Sequence, residues 1–455
     1  MSSLNTEGDL NLSKHRRQWA EKNIDPPTRS LLEEDARCFL HQSLSTPCLN
    51  VIKTASGSGF EDASGRRYLD FHGNNVHTVG FGHPRVVAAI KKQLDQLTFC
   101  TRRYTCEQAI RFAKKLIEIA PAGLDRVLLA PGGTTAIGTA LKLARVATGR
   151  FKFVSMWDSF HGASLDAISV GGEALFRRDI GPLLPGCEHV PPADNRHCPF
   201  KCGAACSLAC ADYVDYVLEK EGDVAAVIGE TVRSIPFIPP PDYWKRIRAA
   251  CDRHGALLIL DEIPMGLGRT GRMFACLHYD VKPDILVLGK GLGGGIFPLA
   301  AVLCRNTLDN AQHTSLGHYT HEKNPVACAA GLATLQVIEE EGLVEHARTL
   351  GQYALDRLRE MAQRHPLIGD VRGLGLILGV ELLKDRATLA PATDEAERVM
   401  YASLRGGLNF KVTHGNVLTL TPPLTLNQEE MDQALTILER AIDEVETRER
   451  ENDPG

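Results

Sequence analysis

Along most of the chain, short apolar runs alternate with longer stretches whose apolar residues recur at helical spacing. The short runs cover residues 127–130, 151–155, 224–229, 256–260 and 285–288 and are rich in Val, Ile, Leu and Ala. Runs of this kind predict strands buried on both faces of a sheet. Between them, Pro84 opens a helix with apolar positions at Val87, Ile90, Leu94 and Leu97, and further helices are predicted over 140–145, 241–254 and 327–341. Strand and helix in alternation predict an α/β fold built on a largely parallel sheet. The ends of the chain read differently. Residues 1–40 are polar, with one helix expected, and residues 57–68 carry Gly and Asp between short alternating runs, the pattern of a small hairpin. Past 341 the pattern is α+β, with a strand-like run at 372–378 and an amphipathic helix over 426–445 whose apolar face holds Met431, Leu435, Leu438 and Ile442.

Two of the buried strands end in groups that carry chemistry. The run at 256–260 leads into Asp261 and Glu262, and the run at 285–288 leads into Gly289 and Lys290. Such residues are most often solvated turn residues, but ligands in open α/β sheets also bind at these strand ends. A lysine there can be desolvated, have its pKa lowered and become a nucleophile toward carbonyls. An aspartate there can pair with a cationic ring nitrogen. Lysine plus aspartate is the pairing that pyridoxal 5'-phosphate (PLP) requires. The strand at 127–130 is followed by Gly132 and Gly133 at the head of a helix, where backbone N–H groups and the helix dipole favour an anion such as phosphate.

Composition narrows the choice of partners. A chain of 455 residues has room for two domains with large cores. With 44% apolar and 24% charged residues and a net charge of −5, it has no general attraction for nucleic acid or an anionic membrane. No apolar run reaches the length of a membrane span and the polar N-terminus lacks a signal-peptide core, so a cytoplasmic location is expected. Cys187, Cys198, Cys202, Cys206 and Cys210 are crowded together, with His189 and His197 nearby. Thiolates at this density can bind zinc or an iron–sulfur cluster, but the spacing differs from the usual Cys-x2-Cys pairs. On a helix from Ala204 onward, Cys206 and Cys210 would share a face as plain buried thiols. No metal is assigned.

The pieces Asp261-Glu262-Ile263-Pro264, Gly266-Leu267-Gly268-Arg269-Thr270-Gly271, Pro283-Asp284-Ile285 and Lys290-Gly291-Leu292-Gly293 resemble the signature of the class III (ω-amino acid) aminotransferases, PLP enzymes of fold type I. The likeness extends from about Ser56 to Val445. It implies an aspartate aminotransferase-like fold. In that fold, residues 76–330 form a large PLP-binding domain with a mostly parallel seven-stranded sheet. Residues 331–455 form a smaller α+β domain, and 1–75 an N-terminal arm and part of that small domain. The resemblance implies PLP held by Lys290 through a Schiff base, with Asp261 on the pyridine nitrogen, Gly133 and Thr134 on the phosphate and the ring of Phe160 stacked on the cofactor. It also implies a homodimer in which Thr320, placed by its spacing from Asn324-Pro325, crosses the interface to the partner's PLP phosphate. Asn75, in the loop after the hairpin, and Arg102, Arg103 and Arg233 are candidates for binding the substrate, a small amine with an anionic group.

Three departures from the family bear on the reaction. Thr419 stands where an arginine commonly reads the carboxylate of a keto acid, a contact that suits a bidentate guanidinium. The glutamate that offsets this arginine has no counterpart in Thr231-Val232-Arg233-Ser234-Ile235-Pro236. Pro264 replaces a glutamine that donates to the cofactor's phenolic oxygen, and proline has no donor. Together with Gly73-Asn74-Asn75-Val76-His77, the cysteine block and Gly317-His318-Tyr319-Thr320-His321, these features look most like the class III branch of ammonia-lyases acting on (R)-1-hydroxy-2-aminoethylphosphonate. That branch removes the β-hydroxyl of a phosphonate amine through a Schiff base and an enamine, giving phosphonoacetaldehyde and ammonia in phosphonate catabolism. The alternative is an aminotransferase that moves an ω-amino group, as of 2-aminoethylphosphonate, to a keto acid. A regulatory protein that has lost catalysis is disfavoured because Lys290 and Asp261 are both present.

Overall fold

The structure, a computed structural model, describes residues 10–194, 196–202 and 206–452. The five apolar runs and two further strands form one sheet from β1 (Arg126–Ala130), β2 (Lys152–Met156), β3 (Cys187–Val190), β4 (Val224–Glu230), β5 (Leu257–Asp261), β6 (Ile285–Leu288) and β7 (Ala300–Cys304). The seven strands lie in the order β1-β7-β6-β5-β4-β2-β3. β7 alone runs opposite to the other six strands. Every residue of β4, β5 and β6 is buried, which is why these strands read as nearly unbroken apolar runs. The carboxyl ends of β1, β2, β4, β5 and β6 therefore open on one edge of the sheet, the edge where ligands bind in such folds.

The surrounding helices are α1 (Pro84–Gln96), α2 (Glu107–Ile119), α3 (Gly133–Thr148), α4 (Ala209–Glu221), α5 (Tyr243–His254) and α6 (Pro325–Glu340). Helix α3 lays Ala136, Ile137, Ala140, Leu143 and Ala144 against Val287, Ala300 and Val302 of the sheet. Small side chains on that face let the helix approach closely, and Gly149 ends it in the left-handed conformation at φ 68°. In α6, Pro325 takes the first turn and the Asn324 side chain caps the helix by accepting the Ala327 N–H at 2.9 Å. A methyl group on Gly331 of α6 would lie 2.7 Å from the Phe112 ring of α2, so this crossing tolerates only glycine.

The chain divides into two compact units. One spans Pro84–Glu345 and contains this sheet. The other joins residues up to His83 with those from His346 onward. The resemblance places the domain boundary at 331, yet α6 packs on α1 and α2 within the sheet-bearing unit. In the second unit, Ile52–Ser56, Gly59–Asp62 and Arg67–Asp70 form an antiparallel meander that Leu408–Asn409 extends in parallel. A second sheet pairs Ile368–Leu374, Ile377–Asp385, Val417–Leu420 and Lys411–Thr413. The arm holds two helices, Lys14–Asn23 and Pro26–Cys38, where one was expected. The last helix runs over Gln428–Asn452 and buries Met431, Leu435, Leu438 and Ile442.

The cysteine block is rearranged relative to expectation. Helix α4 starts at Ala209, so Cys206 precedes it, while Cys210 lies buried in its first turn. The expected start near Ala204 lies outside the described residues. Among the described residues, no group of three or more His, Cys, Asp or Glu is placed to hold a metal ion. No described helix is long and apolar enough to cross a membrane.

The buried Glu262 fixes the end of β5. Its Oε2 accepts the Ala275 N–H at 2.7 Å, and its Oε1 accepts the Cys276 N–H at 2.7 Å and the Thr231 hydroxyl at 3.0 Å. Burial pushes its pKa up, and the three donors oppose that shift. Glutamine has one acceptor oxygen and would turn its NH2 toward a backbone N–H. Glu262→Gln is therefore expected to lose about 2–4 kcal/mol of stability, read as a lower urea midpoint with an unchanged slope.

Candidate active site

Asp261 closes β5 with its side chain 2% exposed. A carboxylate placed so deep costs several kcal/mol unless it is hydrogen-bonded. Its Oδ2 accepts from Nδ1 of His161 at 2.7 Å and its Oδ1 accepts the Ile263 N–H at 3.0 Å. His161 follows β2, and its side chain is fully buried. Its Nε2 finds no hydrogen-bond partner among the described residues. The two contacts hold the carboxylate in one orientation while leaving lone pairs for a cationic N–H, the group that Asp261 was expected to meet. His161 was not among the residues that the sequence singled out.

Lys290 opens a short 3-10 turn, Lys290–Gly293, directly after β6. It is half-buried, and its φ of 45° is in the left-handed region, which costs a lysine energy and is common where a site dictates backbone shape. Val287 of β6 pairs in register with Asp261 of β5, so the lysine turn leaves the sheet beside the aspartate. Ile263 joins this corner to the first turn of α3. A methyl group on Gly133 would lie 2.9 Å from its Cδ1, and one on Gly289 would lie 3.2 Å from its Cγ2. Three segments distant in sequence thus converge on one side chain.

In α3 the first intrahelical bond runs from the Ala136 N–H to the Gly132 carbonyl at 3.1 Å. Helix geometry leaves the N–H groups of Gly133, Thr134 and Thr135 without intrahelical acceptors, ready for an anion. The Thr134 hydroxyl meets Ser164 Oγ at 2.7 Å and accepts the Ser164 N–H at 3.2 Å. Gly162, at φ 131°, passes so close that a methyl there would lie 2.4 Å from Thr134 Oγ1. Ser164 was not anticipated as part of this corner.

Phe160 is half-buried, and its ring meets that of Phe176 at 4.4 Å with a 42° tilt. Its N–H donates to Glu230 Oε2 at 3.4 Å. Glu230, the register partner of Asp261, also accepts from Arg233 Nε at 3.3 Å. Arg233 is buried and its Nη2 donates to the Asp158 carbonyl. Of the three candidate arginines, only Arg233 is brought to the Asp261 corner.

Arg102 and Arg103 are exposed, and Arg102 bonds to His318 and, at 3.0 Å, to the Tyr319 carbonyl. Thr320 is exposed, while the neighbouring Tyr319 hydroxyl donates to the Thr135 carbonyl at 3.4 Å. Asn75 lies in the other compact unit, in a short 3-10 turn over Gly73–Asn75. Thr419 is in that unit too, buried in the second sheet, where its hydroxyl meets Thr413 Oγ1 at 2.8 Å.

Comparison with known proteins agrees with this geometry. Residues 41–442 match the class III aminotransferases. The (R)-1-hydroxy-2-aminoethylphosphonate ammonia-lyase of Vibrio splendidus (strain 12B01) is 48% identical over 97% of this chain and 95% of its own. The leucine/methionine racemase of Thermococcus litoralis is 38% identical over 91% and 96% of the two chains. An amine transaminase from an uncultivated Pseudomonas species, solved in its PLP-bound form, superposes with a TM-score of 0.84 at 32% identity, over 90% of this chain and 99% of that one. The residues present suit such a cofactor. An oriented buried carboxylate faces the lysine turn's edge of the sheet, and glycines keep the head of α3 open. The chain therefore belongs to the class III aminotransferase family, an enzyme of PLP-dependent fold type I whose cofactor is PLP.

Proposed function

We propose that this enzyme is an ammonia-lyase that removes the β-hydroxyl of (R)-1-hydroxy-2-aminoethylphosphonate, releasing phosphonoacetaldehyde and ammonia. The observation that carries this reading is Thr419. At the place where a class III aminotransferase commonly clamps its keto acid, this chain has a threonine whose hydroxyl is committed to Thr413 inside a sheet. A buried, bonded hydroxyl cannot replace a bidentate guanidinium. The substrate named for the relative from Vibrio splendidus supports the choice of amine.

Bound PLP supplies a carbonyl that condenses with amines and a ring that draws electrons from the adjoining C–H bond. Lys290 holds the cofactor between turnovers. Once the substrate amine displaces it, its Nζ takes the proton from the carbon bearing nitrogen. Asp261, oriented by His161, keeps a proton on the ring nitrogen. The N–H groups of Gly133 and Thr134 hold the phosphate, and Phe160 covers one face of the ring. With PLP bound, the hydroxyl would then leave the neighbouring carbon as water, and hydrolysis would release phosphonoacetaldehyde and ammonia and return the cofactor to Lys290. A second copy of the chain completes the site through Thr320, whose exposure suits a residue that acts in trans. Asn75, Arg102 and Arg103 are the candidates for contact with the substrate's polar and phosphonate groups.

The test is an amine panel with phosphonates included, assayed with and without a keto acid. Ammonia and phosphonoacetaldehyde are expected in equal amounts from the hydroxy-amine with no keto acid added. A strict requirement for pyruvate or another keto acid would make the enzyme an aminotransferase. Lys290→Ala is expected to lose the visible absorbance of the lysine-bound cofactor, with activity falling by ~10²-fold or more. Full activity without that band would reject Lys290 as the cofactor lysine.

A further inference from the structure

The turn that carries Phe160 is held on one side by a buried ion pair. Glu230 ends β4, and Arg233 follows it in the loop. Their side chains are 4% and 8% exposed and meet at 3.3 Å. The pair reaches the Asp158–Phe160 turn twice. Glu230 Oε2 accepts the Phe160 N–H at 3.4 Å, and Arg233 Nη2 donates to the Asp158 carbonyl. Asp158 sits at φ 62°, a conformation that costs a non-glycine residue energy and needs outside support. On its other side the turn is tied by the Ser159 carbonyl and hydroxyl, which accept the Gly172 N–H at 2.9 and 3.2 Å. The arginine loop is itself pinned. The Arg233 N–H donates to the Phe237 carbonyl at 3.2 Å, and Trp244 Nε1 donates to the Thr231 carbonyl at 2.9 Å.

We propose that Glu230 and Arg233 act together as a positioning clamp that sets the Phe160 turn, and with it the stacking of the ring on the cofactor, and that Arg233 does not receive the substrate's phosphonate. The proposal rests on the reading of Phe160 as the cofactor-stacking residue. Two guanidinium donors are already committed, one to a carboxylate and one to a carbonyl. Releasing them to a diffusing anion would leave Glu230 buried and unpaired, a heavy cost in a water-excluded site. Lysine can replace this arginine only in part, because a single ammonium lacks the planar fork that spans both acceptors.

Arg233→Met, Arg233→Lys and the double variant Glu230→Gln/Arg233→Met separate the clamp from a substrate role. The readouts are PLP affinity without substrate, visible circular dichroism of the bound cofactor, and kcat and KM for the hydroxy-amine phosphonate. The clamp predicts roughly tenfold weaker PLP binding and a reduced visible dichroic band in Arg233→Met, a lower kcat, and little change in KM. Arg233→Lys should recover part of the band. The double variant, which leaves no unpaired buried charge, should fold better than the single variant and still lack the full band. A KM raised tenfold or more, with PLP affinity and dichroism unchanged, would overturn the proposal and make Arg233 the anion receptor. A full-strength band in the double variant would overturn it as well. The wild-type band, measured first, checks the cofactor site itself, so failure there is distinguishable from failure of the clamp.

Discussion

The hydrogen bond between His161 and Asp261 is the constraint on which the site depends. A carboxylate at the end of a fully buried strand is tolerable only if its oxygens are partnered, and the partner has to be rigid. His161 meets both needs at 2.7 Å, from a turn on a different strand. This places two requirements on the fold. Strands β2 and β5 must stay on either side of β4, as their pairings to it show. The turns after them must also be tied down, which Glu262 does beyond β5 and the Glu230–Arg233 pair does beyond β2.

Close approach is the second requirement. The head of α3 and the approach to Lys290 both press on Ile263, and both do so through glycine. A side chain at either place would push the helix N-terminus or the lysine turn away from the aspartate. Lysine at φ 45° fits the same picture, since the end of β6 has to turn sharply to present its side chain at the strand edge. Local strain at Lys290 and Asp158 is sustained by a surrounding structure that is apolar, glycine-spaced and hydrogen-bonded throughout.

Much of this was legible in the sequence because burial on both faces leaves a plain trace. The strands now labelled β4, β5 and β6 read as apolar runs, and Asp261 and Lys290 stood out as the polar residues that end them. The head of α3 was legible from its glycines. What escaped were features that depend on tertiary pairing. The run at 300–304 was not singled out, and an apolar run does not reveal strand direction in any case, so antiparallel β7 was not foreseen. His161 was not singled out because its partner, Asp261, lies at the end of another strand. Arg233 was one of three candidate arginines for the substrate's anionic group, and its link to Asp158 spans two loops that the sequence does not bring together. Thr419 was noted as a substitution, but its bond to Thr413 needs the second sheet to be folded. The boundary at 331 followed the resemblance, and a sequence likeness does not show that α6 packs back on α1 and α2.

On the proposed reading, this class III scaffold keeps the machinery for activating an amine and lacks the side chain that would fix a keto acid. The most direct measurement is the cofactor spectrum after the enzyme is mixed with a stoichiometric amount of (R)-1-hydroxy-2-aminoethylphosphonate and no keto acid. The account predicts that the spectrum returns to that of the lysine-bound cofactor as one equivalent of ammonia appears. Persistent conversion to pyridoxamine phosphate, with the substrate's nitrogen retained on the enzyme, would contradict it.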